Sequence, residues 1–102
     1  MLTVSAFLDD KGGAYQLSGV VVLARPGSTA GAVEQPANQL STAAVESGAG
    51  DILTVNLSYG SLGAGTYPLY FVGSYTGHVT GCGRDGGAAT PLVMLLGDFV
   101  MS

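Results

Sequence analysis

Leu53-Thr54-Val55-Asn56-Leu57-Ser58-Tyr59 alternates apolar and polar residues without a break, and this stretch decides the fold class. Successive side chains of a β-strand point to opposite faces, so it reads as a strand with one face in a core and one face outward. The same pattern opens the chain, where Leu2, Val4, Ala6 and Leu8 alternate with Thr3, Ser5 and Phe7. Val20 to Ala24, Leu69 to Val72 and Leu92 to Leu96 are apolar at every position. Such runs suit central strands, or strands whose outer face meets a partner.

Glycine- and proline-rich turns separate these runs at 9–13, 25–28, 47–51, 60–65 and 81–87. Glycine supplies positive φ and proline fixes φ near −65°, so each cluster has the chemistry of a turn. The spacing predicts an all-β domain, a single antiparallel β-sandwich or small barrel of about six or seven strands. The one candidate helix is 36–47, with Pro36 near a first-turn position and Gly48 placed to end it. Its apolar residues, Leu40, Ala43, Ala44 and Val45, fit either element, and an irregular strand is the preferred reading. Residues 25–36 read as a long loop. The 102 residues make one domain, 1–102, with neither an internal repeat nor a linker.

Charge is scarce. Asp, Glu, Lys and Arg make up 10% of the chain, against about 25% in an ordinary soluble domain. From Ile52 to Gly83, 32 positions, there is no such residue at all. Monomers intersperse charges to keep exposed apolar patches small, so part of this surface is expected to lie against other protein. The three cations, Lys11, Arg25 and Arg84, are scattered and the net charge is −4. Nucleic-acid binding needs clustered cations to displace phosphate counterions, and anionic membrane surfaces need the same, so neither partner is expected. The start has no basic region, and Asp9 and Asp10 interrupt its apolar run, so no secretory leader is read there. Synthesis in the cytoplasm without a signal peptide is the expectation.

The residues able to carry chemistry are few. Gly81-Cys82-Gly83-Arg84-Asp85-Gly86 fits G-x-G-x-x-G, but a dinucleotide site needs a helix next, and a strand-like run follows. His78 and Cys82 are the only His and the only Cys. Glycines surround them and only Asp85 is near enough in sequence to orient the imidazole, so a loop thiol is expected rather than a nucleophile. Structural zinc needs about four His or Cys ligands. The carboxylates Asp9, Asp10, Glu34, Glu46, Asp51, Asp85 and Asp98 show no pairing, and turn or cap roles are expected for Asp9, Asp10 and Asp51. The reading is of a protein that is no enzyme, with no catalytic, cofactor or metal residues.

Leu62-Gly63-Ala64-Gly65-Thr66-Tyr67, running into Pro68-Leu69-Tyr70-Phe71-Val72, resembles the tyrosine corner of fibronectin type III and other immunoglobulin-like sandwiches. The resemblance covers about a tenth of the chain and implies that the Tyr67 hydroxyl bonds back to the turn. It implies nothing about function, and the usual core Trp is absent. Size, abundant Gly and Ala, scarce charge and strand content also resemble small virion proteins that decorate or stabilise capsids.

These features together predict a non-enzymatic structural subunit of a larger assembly, a capsid decoration or another virion component, that contacts itself and a protein shell. The alternative is a sandwich binding module for a glycan or a receptor protein, with Tyr59, Tyr67, Tyr70 and Tyr75 as candidate contacts. An isolated carboxylate is costly to bury, so Asp98 marks the outward face of the last strand. By simple alternation that face also carries Leu92, Met94, Leu96 and Val100. Thr66, Pro68 and Ser74 likewise mark the outward face bearing Tyr70 and Val72. Tyr70, Val72, Leu92, Met94, Leu96 and Val100 are therefore the expected interface.

Overall fold

The computed structural model describes residues 2–8, 14–48, 50–78 and 90–102. Among the described residues six strands run in chain order: β1 (Leu2–Phe7), β2 (Ala14–Ala24), β3 (Gln39–Gly48), β4 (Ile52–Leu57), β5 (Gly65–His78) and β6 (Thr90–Met101). All their pairings are antiparallel. They form a two-stranded sheet, β1-β4, and a four-stranded sheet, β3-β2-β5-β6. The expected all-β sandwich is therefore the fold.

Alternation builds the core. Leu53, Val55 and Leu57 of β4 turn inward while Thr54 and Asn56 face out. Across the pair, Thr3 Oγ1 donates to Asn56 Oδ1 at 2.7 Å, and the Ser5 and Thr54 hydroxyls lie 3.3 Å apart. From the larger sheet, Leu17, Val21, Leu23, Val45, Tyr67, Leu69 and Phe71 meet the smaller sheet's apolar face in one buried cluster. Phe71, Leu23 and Val21 are almost wholly enclosed.

Gly19 and Gly73 are paired on neighbouring strands, and there the backbones approach closely. A Cβ on Gly73 would lie 2.6 Å from Gly19 Cα and would strike the Ser18 carbonyl oxygen. It would also come within 3.0 Å of the Phe71 ring. Only glycine at both positions leaves room for this β2–β5 pairing and for the ring.

The stretch 36–47 resolves into a single 3-10 turn, Pro36–Asn38, followed by strand β3. Val45 lies in the core with Ala43 packed beside it, and alternate residues are exposed, as a half-buried strand requires. The loop between β2 and β3 is ordered by its own polar groups. Ser28 N–H donates to the Arg25 carbonyl at 3.1 Å across the Pro26-Gly27 turn, where Gly27 takes φ +82°. The side-chain amides of Asn38 and Gln39 donate to the Ala32 and Val33 carbonyls at 2.9 and 3.0 Å. Val33 is thereby held, fully buried, against Val22, Ala24 and Tyr70 on the outer face of the four-stranded sheet.

Tyr67 donates its hydroxyl hydrogen to the Gly63 carbonyl at 2.6 Å. This fastens the turn before β5 to the start of the strand. Beside it the Tyr59 and Phe99 rings stand 5.5 Å apart at 52°, a tilted pair that closes this end of the core.

Candidate interaction surfaces

The expected interface set divides between two faces, and a β-bulge is the cause. Along β5 and β6 the pairs Phe71↔Met94, Val72↔Val93 and Tyr70↔Leu95 give way to Leu69↔Gly97, Pro68↔Asp98 and Thr66↔Val100. Leu96 has no partner in this register. One extra residue reverses the phase of alternation. Asp98 and Val100 do face outward as expected, but before the bulge the outward residues are Val93 and Leu95.

Leu92 and Leu96 instead pack against the inner core, and Met94 lines a cleft on that inner side. Three of the six expected residues are thus corrected to the opposite face. Tyr70 keeps its outward face but is only 7% exposed, because Val33 covers it and its hydroxyl reaches the Ser28 carbonyl at 3.3 Å. Val72 is half-buried beside it.

Besides Leu40 on β3, 39% exposed, three apolar features of the described residues are accessible. On the outer face of β6, Leu95 is 55% and Val100 65% exposed. On the outer face of the smaller sheet the cross-strand pair Phe7 and Ile52 is 67% and 70% exposed. That pair was legible, since the alternation setting Phe7 beside Thr3 and Ser5 turns it away from the core. The third is a cleft of about 330 Å3 lined by Phe7, Leu8, Tyr15, Leu17, Tyr75, Leu92 and Met94. It opens between the end of β1 and the inner face of β6, and among the described residues no lining side chain is a carboxylate or a cation.

Among the described residues the candidate chemical groups do not converge. Cys82, Arg84, Asp85 and the whole G-x-G-x-x-G stretch lie outside the described residues, as do Asp9, Asp10 and Lys11. His78 ends β5, paired with Ala14 of β2. Among the described residues no group of three or more His, Cys, Asp or Glu could hold a metal ion. Asp51 has a turn role, its Oδ2 accepting the Gly48 N–H at 2.8 Å. The tyrosines make no exposed platform: Tyr67 and Tyr70 are buried, and Tyr59 and Tyr75 half-buried against the core. No family model, curated protein or solved structure matches the chain.

Proposed function

We propose that this chain is a non-enzymatic structural subunit of a larger protein assembly, a capsid decoration or another virion component. The observation that carries the proposal is the apolar outer side of β6, where Leu95 and Val100 stand more than half exposed in a chain with 10% charged residues. Bare aliphatic side chains cost little singly, but a surface so short of charge gains by being covered. We also propose that the sandwich is immunoglobulin-like. Taking β1 to β6 in order as strands B, C, C′, E, F and G yields the paired sheets B-E and C′-C-F-G, with Tyr67 at the E–F corner.

The test compares wild type with Leu95→Lys and Val100→Lys by sedimentation velocity and circular dichroism. Wild type should self-associate or co-sediment with particles, while both variants stay folded and monomeric. A wild type that remains monomeric at high concentration and binds no particle would remove the proposal.

A further inference from the structure

Among the described residues the two sheets are unequal, one of two strands and one of four. Among the described residues β1 pairs with β4 alone, so its other edge has no described partner. Which groups point there follows from the hydrogen bonds next to the strand. Leu8 donates its N–H to the Asp51 carbonyl at 2.9 Å and accepts from the Gly50 N–H at 2.6 Å, so both its main-chain groups point toward β4. In an antiparallel ladder the direction alternates residue by residue. Leu2, Val4 and Ala6 therefore bond to β4, and the N–H and C=O groups of Thr3, Ser5 and Phe7 point to the other edge.

Other such edges carry the usual protection against added strands. β6 has Pro91, Asp98 and its bulge, and β3 has Glu46. β1 has no charge, no proline and no break in register from Leu2 to Phe7. The outer edge of β4 is also uncharged, but no β4 residue lines the apolar cleft, whereas Phe7 and Leu8 do. Among the described residues, only at β1 do main-chain groups without a described partner adjoin a hollow lined without charge, over Leu17, Leu92 and Met94.

We propose that this edge and cleft receive one extended strand donated by a neighbouring polypeptide, uncharged and apolar at alternate positions. The main-chain groups of Thr3, Ser5 and Phe7 require a polypeptide in β conformation as the ligand. The described lining favours apolar side chains on the inward face and disfavours a buried charge, for which it holds no opposite charge. The proposal concerns the opposite side of the sheet from Leu95 and Val100 and stands whether or not that face is covered.

The test uses isotopically labelled monomer and a capped peptide with the sequence of residues 52–59, which is uncharged and alternates. Amide exchange at Thr3, Ser5 and Phe7 should slow, with matching shifts of the Met94 and Leu92 methyl signals. A peptide with lysine in place of its inward apolar residues should do neither. Ser5→Pro removes an N–H that β4 does not use, and Met94→Lys puts a charge into the cleft; each should abolish binding while the Val4 and Ala6 amides stay protected. Four outcomes would each overturn the proposal. They are unchanged amides at saturating peptide, methyl shifts alone, equal binding by the lysine peptide or by both variants, and protection that rises with protein concentration without peptide. The last would assign the edge to a second copy of the chain.

Discussion

The two faces of the four-stranded sheet are covered by different means. The inner face meets a second sheet, and its contacts join β1, β2, β3, β4, β5 and β6 into one cluster around Phe71. Among the described residues the outer face is covered at one end, by the loop that inserts Val33 between Val22, Ala24 and Tyr70. Damage to the inner face must be felt by every strand. Damage to the outer cover is confined to the loop and the few side chains beneath it, so local opening there need not unfold the sandwich.

The largest expected effect comes from the glycine pair. Gly73→Ala should destabilise by about 3 kcal/mol or more, because its methyl meets backbone, which cannot rotate aside as a side chain can. Urea unfolding followed by circular dichroism would measure it. A cost near zero would mean that β2 and β5 can separate at this point.

Leu95 and Leu96 sharpen the comparison most directly, being neighbours in sequence on opposite faces. Leu96→Lys should cost about 2–3 kcal/mol, since half-burial lets the lysine amine reach water only at the expense of packing. Leu95→Lys should shift stability by less than about 0.5 kcal/mol. Equal costs in denaturant would mean that the bulge is not where the register puts it.

This pair also marks where the sequence stops being legible. Strands, turns and the core faces of β1 and β4 could be read because polar residues at every second position set the phase. From Leu92 to Leu96 no polar residue does so. Asp98 fixes the phase only on its own side of the bulge, and extending that phase backward put three residues on the wrong face. The cover over Tyr70 was hidden for another reason. Val33 is one apolar residue in a loop of otherwise small or polar ones, and its packing on Tyr70 follows from a loop shape that the Asn38 and Gln39 bonds hold. The cleft depends on the unequal sheets, which strand count alone does not reveal.

Val33→Ala tests the local cover. It should cost about 1.5 kcal/mol for the aliphatic carbons returned to water, and the loss should appear as faster amide exchange in the loop and around Tyr70. Exchange that quickens equally in β1 and β4 would show that the outer cover is coupled to the inner core.

The smallest effects separate two tyrosine hydroxyls that bond to backbone carbonyls on opposite faces. Tyr67 on the inner face donates at 2.6 Å, short for an O–H···O bond, to a carbonyl four residues back. Tyr70 on the outer face donates at 3.3 Å to Ser28, 42 residues away, beyond the usual range for such a bond. Removing either hydroxyl leaves one carbonyl without its donor, and the cost scales with how well the bond was made and how well water can replace it. Tyr67→Phe should cost about 1 kcal/mol, as it unfastens the turn before β5. Tyr70→Phe should cost less than about 0.5 kcal/mol, because the ring contacts with Val33 remain and the long bond contributes little. The double variant should be additive, since the hydroxyls lie on opposite faces of the sheet and share no partner. A larger loss from Tyr70→Phe than from Tyr67→Phe in thermal and urea unfolding would reverse the order of the two faces, making the loop rather than the corner the tighter restraint on β5.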